Sequence, residues 1–76
     1  MLNEPEKTFR AVNVEAAVWL NETEKDGKKI RNFSVTIQKS YKDDDGNWKT
    51  TKTFFRDDLP KLRLVIDKAY EFIALY

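Results

Sequence analysis

In the middle of the chain, large and mostly apolar side chains alternate with polar ones, so the pattern repeats every two residues. Between residues 32 and 41 the large side chains share one parity: Phe33, Val35, Ile37, Lys39 and Tyr41. This period is typical of a strand with one face toward a core and one toward solvent. A second run, residues 48–56, is rich in Thr and aromatic residues, and the acidic segment 43–47 between the runs favours chain reversal. The pattern predicts a β-hairpin.

Residues 9–20 alternate in the same way. The apolar parity holds Val12, Val14, Ala16, Val18 and Leu20. These residues form the predicted core face, whereas Trp19 points to the other side. Twelve residues are long for one strand, so we expect a bend, a bulge or a division into two strands. The Asp26-Gly27 pair predicts a further hairpin that leads into the central strand.

After Arg56 the period changes to 3.6, which predicts a helix from about Leu59 to the C-terminus. Asp57 or Asp58 is the expected N-cap, and Pro60 falls in the first turn, where a missing N–H is harmless. The apolar arc of this helix is about 160° wide, more than the roughly 100° that packing on one sheet requires. We therefore expect a second partner, most simply another copy of the chain. The alternative is a small core that uses every apolar side chain. The predicted dimer interface is Leu64, Val65, Ala69, Phe72, Leu75 and Tyr76.

Together these patterns predict an α+β fold: a curved antiparallel sheet of three to four strands built from hairpins, then one C-terminal helix. Residues 1–8 are polar and contain Pro5, and we expect them to form a flexible tail. Residues 9–76 then form a single domain, near the lower size limit for folding without disulfides or metal.

The composition excludes several classes of function. The chain has no Cys and no His, which removes thiolate chemistry and the commonest general base and metal ligand. We see no apolar run of about 20 residues and no signal peptide, so we expect a cytoplasmic protein, with association with the nucleoid left open. We also see no phosphate-binding glycine loop and no positioned nucleophile. Accordingly we expect no enzyme, no cofactor, no small-molecule substrate and no membrane partner.

The segment 43–47 resembles the start of a calcium loop, but Trp48 stands where that loop requires Gly, and Phe54 stands where it requires an acid. We therefore interpret it as an acidic hairpin turn and predict no metal site.

Charge is unevenly distributed although the net charge is only +1. Residues 28–56 hold eight basic and three acidic residues, a net +5, whereas the flanking segments are acidic. Aromatic residues interleaved with Lys and Arg are the ingredients of a platform that stacks unpaired bases and neutralises phosphates. The alternative is ordinary cross-strand packing, with Lys protecting strand edges. The predicted nucleic-acid-binding residues are Trp19, Arg31, Gln38, Lys39, Tyr41, Trp48, Lys49, Lys52 and Arg56.

From Phe9 to Ile73 the chain resembles the positive cofactor four family of transcriptional coactivators and its prokaryotic and phage relatives. The centre of the resemblance is residues 35–41, the acidic turn 42–46, the basic strand 49–55 and the helix. It implies a curved sheet, a homodimer joined through the helices, and binding of single-stranded DNA. It places Tyr41 at a stacking position and puts Lys49 and Lys52 in the basic strand. The chain departs from the family in having Gln38 at the position of a central-strand Arg and no Pro-Gly between residues 49 and 54.

Two main hypotheses follow. The first is a homodimer that binds single-stranded DNA, or RNA, in a sequence-tolerant manner in transcription, replication or repair. The second is a homodimeric module that takes up a peptide or protein on the same sheet face. A third, regulation of an enzyme complex by subunit addition, has less support. The first hypothesis predicts that binding weakens steeply as the salt concentration rises, whereas the second predicts binding that is insensitive to salt.

Overall fold

The computed structural model describes residues 4–76. Its elements are four strands, a short 3-10 turn at Arg56–Asp58 and one helix: β1 (Lys7–Ala11), β2 (Val14–Lys25), β3 (Lys28–Lys42), β4 (Trp48–Thr51) and α1 (Leu59–Ala74). The strands form one sheet in the order β1-β2-β3-β4, and every neighbouring pair is antiparallel. The predicted α+β class, the antiparallel sheet and the single C-terminal helix are confirmed.

The run from residue 9 to residue 20 is divided between β1 and β2, which confirms one of the expected outcomes. The reversal takes place at Val12 and Asn13, and Val12 has a φ of 60°, a conformation that is rare for a β-branched residue. Asn13 attaches this turn to β3. Its side-chain N–H donates to the Ser40 carbonyl, and its backbone carbonyl accepts from the Ser40 N–H. The assignment of Val12 to the core is wrong, since the turn leaves it 78% exposed.

Sheet pairing begins earlier than the sequence suggested. Lys7 and Thr8, which we assigned to the tail, belong to β1 and pair with Val18 and Ala17. The Glu6 N–H also donates to the Val18 carbonyl at 2.7 Å. The tail prediction is therefore wrong for residues 7 and 8, whose backbone is held by β2, and its first three residues lie outside the described part of the chain.

The core lies between α1 and one face of the sheet, which we call the inner face. It consists of Val14, Ala16 and Val18 from β2 together with Val65 and Ala69 from α1, all at most 2% exposed. The β2 residues match the predicted core face. Val65 and Ala69 correct the predicted dimer interface, because the helix turns these two side chains onto its own sheet.

The other predicted interface residues lie at the margins of this contact. Leu64 and Leu75 remain 53% and 79% exposed. Phe72 is half-buried, and its ring meets Phe9 edge-on at 6.2 Å between centroids. Tyr76 is 60% exposed, but its ring packs edge-on against Phe33 and its hydroxyl donates to Glu6. Further apolar side chains stay exposed on α1: Leu59, Ile66 and Tyr70.

β2 and β3 continue past the end of the helix as a two-stranded ribbon. Residues 22–32 are all exposed, and the molecule is correspondingly elongated, with extents of 51 × 25 × 16 Å. Glu22 and Arg31 face each other across this ribbon and form an ion pair at 3.1 Å. As predicted, Asp26 and Gly27 make its turn, both with positive φ.

Within residues 4–76, α1 is too short and too polar to cross a bilayer, and the structure describes no other α-helix there.

Candidate nucleic-acid interface

The strand register decides which predicted site residues share a surface. Residues of β3 with odd numbers face α1, because Val35 and Ile37 pair with the core residues Val18 and Ala16. The even-numbered residues of β3, with Trp19 of β2 and Trp48 of β4, lie on the opposite side, which we call the outer face. No helix in the described chain packs on the outer face.

The predicted nucleic-acid-binding set is divided between the two faces. Trp19, Gln38 and Trp48 belong to the outer face. Arg31, Lys39 and Tyr41 belong to the inner face, and Lys49 pairs with Tyr41 at the edge of the sheet. Lys52 and Arg56 follow β4 in the connection to the helix. The structure therefore does not form one platform from all nine residues.

Trp19 lies half-buried on the outer face. Its indole N–H donates to the Thr36 hydroxyl at 2.9 Å, which draws the ring toward the neighbouring Ala17–Thr36 pair. We attribute the low exposure of Ala17, only 8% on this open face, to cover from the indole. Trp19 thus packs along the sheet while leaving part of its ring accessible.

The outer face ends at β4 in a depression that combines an exposed aromatic ring with cations. It has a volume of about 220 Å³ and is lined by Arg10, Ser40, Trp48, Lys49 and Thr50. The Lys42 ammonium lies 5.4 Å from the centre of the Trp48 ring, within the range of a cation–π contact. We call these five lining residues and Lys42 the Trp48 corner.

Trp48 is held at this position by the preceding turn. The Asp43 carboxylate accepts the backbone N–H groups of Asp45 and Asn47, and Gly46 adopts a φ of 82°. The Asn47 N–H is the main reason that the pKa of Asp43 lies below its ordinary value. This turn sets the register that pairs Trp48 with Lys42, and it confirms the predicted acidic hairpin.

Two cations of the Trp48 corner have acidic neighbours. The Arg10 guanidinium lies 3.2 Å from Glu15, and the Lys49 ammonium lies 3.4 Å from Asp43. Glu15 also accepts a hydrogen bond from Gln38 at 2.8 Å. Both basic side chains are more than half exposed, whereas the side chains of Glu15 and Asp43 are 18% and 19% exposed. Because an ammonium has three donors and a guanidinium five, each cation can contact a phosphate while its carboxylate stays in place.

Arg31 is remote from this corner. It lies ten residues before Tyr41 on the same strand, which is about 33 Å at the usual rise of a strand. Arg31 can therefore meet only a ligand long enough to extend well beyond the corner. Arg56 is 94% exposed and forms an ion pair with Asp57 at 3.7 Å.

Lys39 requires a correction, because its ammonium is buried and is not free to neutralise a phosphate. The residue is 7% exposed, and its Nζ lies 2.6 Å from the Asp58 carboxylate and 4.3 Å from the centre of the Phe55 ring. Asp58 also accepts the Phe55 N–H at 2.8 Å. It directly precedes α1 as the predicted N-cap, but its carboxylate caps no helical N–H and instead joins β3 to the start of the helix.

The bond from Lys39, assisted by the Phe55 N–H, holds the pKa of Asp58 below its ordinary value. The stability that this carboxylate contributes is therefore present above its unfolded pKa of about 3.9 and is lost as the pH falls through the folded pKa. We expect Asp58→Asn to unfold at lower urea concentration than wild type at pH 7, and the difference to shrink at pH 3. Asp57→Asn is the matched control, since this neighbour is 93% exposed. A difference that stays constant with pH would contradict the assignment.

A second cavity, of about 270 Å³, lies on the inner face at the same end of the sheet. It is lined by Lys39, Tyr41, Thr51, Thr53 and Phe55, and we call it the Tyr41 cavity. Phe55 is 70% exposed. The sequence pattern does not indicate this residue, because it follows the last strand, where alternation no longer assigns a face. Nor does it indicate Arg10, whose place on the outer face depends on the turn at residues 12 and 13.

Comparison of the chain with protein-family models, curated proteins and solved structures yields no match. The functional conclusion therefore depends on the geometry of the two sheet faces.

Proposed function

We propose that this protein binds single-stranded DNA on the outer face of its sheet, in a sequence-tolerant manner and without catalysis. It does so as a cytoplasmic homodimer in transcription, replication or repair. The Trp48 corner is the observation that carries the proposal: an indole that is 68% exposed, with an ammonium 5.4 Å from its centre and two further cations beside it. An exposed ring stacks any unpaired base, while the cations neutralise neighbouring phosphates. The resemblance to the positive cofactor four family supports the same function.

The rest of the outer face suits a flexible strand better than a duplex. Between the rows of Trp48 and Trp19, the outer-face residues of β3 are neutral and polar: Thr36, Gln38 and Ser40. Eight residues of β3 separate the rows of the two indoles, about 26 Å along the sheet. Stacking on either ring requires unpaired bases, which a duplex does not offer.

The homodimer is supported by the apolar residues that α1 leaves exposed on both sides of its core contact. One flank holds Leu59, Ile66 and Tyr70, and the other holds Leu64 and Leu75. A chain of 76 residues that exposes this many apolar side chains on one helix can bury them against a second copy.

The first experiment is a titration of labelled oligo-dT at 50 and 200 mM salt. Three cations of the Trp48 corner, Arg10, Lys42 and Lys49, can each contact one phosphate. For single strands this predicts a salt slope of about −2.1, and hence a loss of affinity of about 18-fold between the two salt concentrations. A duplex of equal length should bind less well. Lys42→Ala should flatten the slope by about 0.7, whereas Lys25→Ala at the ribbon turn should leave it unchanged when the oligonucleotide is short.

Equal affinity for duplex and single strand would show that only diffuse charge acts. Absence of oligo-dT binding at 50 mM salt would reject the proposal. In that case the second hypothesis, uptake of a protein segment on this face, becomes the better explanation of an exposed indole.

A further inference from the structure

The Tyr41 cavity lies directly behind the Trp48 corner. In the β3–β4 register, Tyr41 pairs with Lys49 and the next residue, Lys42, pairs with Trp48. Adjacent pairs point to opposite faces, so the cavity and the corner are separated only by the thickness of the sheet at its β4 edge. A strand that passes over this edge can reach both.

Two partly exposed aromatic rings line the cavity. Tyr41 is 40% exposed and Phe55 is 70% exposed. Phe55 is held in place through the Lys39 ammonium over its ring and through its own N–H bond to Asp58. The volume, about 270 Å³, is just below the range of about 300–1,000 Å³ that small-molecule pockets occupy. The cavity therefore suits one planar ring and not a larger ligand.

The third wall is a nearly buried ammonium with unused donors. Lys39 has three N–H donors, and among the described residues only the Asp58 carboxylate accepts one of them. Its side chain is 8% exposed. Because Asp58 already neutralises the Lys39 ammonium, a ligand with a full negative charge would gain little binding free energy here. A ligand with a neutral oxygen that accepts hydrogen bonds from the remaining N–H donors would gain more, since a buried donor without a partner is unfavourable.

We propose that the Tyr41 cavity binds one unpaired base with a ring carbonyl, such as thymine, taken from the strand held at the Trp48 corner; this inference rests on the proposed function. The base packs against Tyr41 and Phe55, and its carbonyl oxygen accepts from the Lys39 ammonium. The hydroxyls of Thr51 and Thr53 line the remaining wall. Adenine has no carbonyl oxygen and leaves the Lys39 donors unpaired.

The surroundings of the cavity favour a base over an aromatic side chain of a protein. Lys52 lies between the two lining threonines, and Arg56 directly follows Phe55. Both are exposed and can contact the phosphates on either side of a bound base. A Phe ring from a protein partner would fill the volume but would use neither the Lys39 donors nor these cations.

The test compares the affinities for oligo-dT and oligo-dA of equal length at 50 mM salt. The informative variant is the double substitution Lys39→Met with Asp58→Asn, because removing both partners of a buried pair avoids an uncompensated charge. We expect the preference for oligo-dT over oligo-dA to fall roughly 2- to 12-fold, the usual worth of one hydrogen bond. Trp48→Ala is the comparison: it should weaken both oligonucleotides and leave their ratio unchanged.

Phe55→Ala gives an independent reading, because the exposed ring can be removed without opening the core. Loss of its stacking should weaken oligo-dT binding by roughly 5- to 150-fold. Amide resonances of Thr51 and Thr53 should shift when oligo-dT is added. If these resonances stay fixed while the Trp48 indole signal shifts, the cavity proposal fails and the outer-face function stands. An unchanged dT/dA ratio in the folded double variant also overturns it. If no oligonucleotide binds at all, both proposals fail.

Discussion

Val65→Glu should leave the protein largely unfolded. Val65 is 2% exposed and lies in the cluster that joins α1 to β2. A carboxylate placed there has no basic partner in the cluster, and an uncompensated buried charge costs several kcal/mol. Domains of ordinary size have only about 5–15 kcal/mol of stability, and small ones lie near the bottom of that range. Circular dichroism and urea unfolding measure the loss directly.

The matched control is Leu64→Glu, the same substitution one residue earlier. Leu64 is 53% exposed on the other side of the helix, so the fold should survive with a change of about 0.5 kcal/mol or less. Its second readout is assembly. If the flank with Leu64 and Leu75 joins two copies, this variant should scatter light as a 9.0 kDa monomer while wild type scatters as a dimer. Ile66→Glu tests the opposite flank in the same way.

A wild-type protein that is monomeric at micromolar concentration would remove the homodimer from the proposed function. Unfolding of Leu64→Glu together with survival of Val65→Glu would mean that the helix presents a different face to the sheet.

The fold could be predicted because its pattern is local. Alternation along β2 identifies Val14, Ala16 and Val18 as one face, and the change of period after Arg56 locates the helix. Turn residues identify both long hairpins. The exception is Val12, which continues the apolar alternation although the chain reverses there. A β-branched residue carries no signal for a turn with positive φ, so the end of β1 could not be located from the sequence.

The sequence could predict which types of residue form the candidate site, but not how they are arranged on the sheet. Most of the site's aromatic and basic residues were identified, with Arg10 and Phe55 as exceptions, but which of them share a face depends on register across turns. Tyr41 and Trp48 both flank the acidic turn, and the five residues between Lys42 and Trp48 do not by themselves fix the pairing. Once Trp48 pairs with Lys42, it lies on the opposite face from Tyr41.

Lys39 shows a second limit. It shares the parity of Ile37 and Val35, which already suggests a position facing the helix. Its partner, Asp58, lies 19 residues later in the chain and reaches it only after the connection has folded back. A basic residue in a strand pattern therefore cannot be assigned to solvent or to a buried pair until the tertiary fold is known.

The contribution of the exposed Trp48 ring to oligo-dT affinity can be measured directly. Trp48→Ala should lower the affinity for oligo-dT by about 1–3 kcal/mol, roughly 5- to 150-fold, because one base loses its stacking partner. The melting temperature should change little, since the ring is 68% exposed and the Lys42 ammonium over it belongs to an exposed residue. Trp48→Phe should recover much of the affinity, since it restores an aromatic face.

Trp19→Ala should behave differently, and this contrast separates stacking from packing. Its indole donates to Thr36 at 2.9 Å and is half-buried. Removing the Trp19 indole should therefore lower the free energy of unfolding by about 1 kcal/mol or more, because a hydrogen bond and apolar contact are lost. This loss does not depend on DNA. If Trp19 also stacks a base, affinity per folded molecule falls as it does for Trp48→Ala. If that affinity is intact for Trp19→Ala but reduced for Trp48→Ala, the DNA contacts the β4 end of the face alone. Intact affinity in both variants would leave the outer face without a role in nucleic-acid binding.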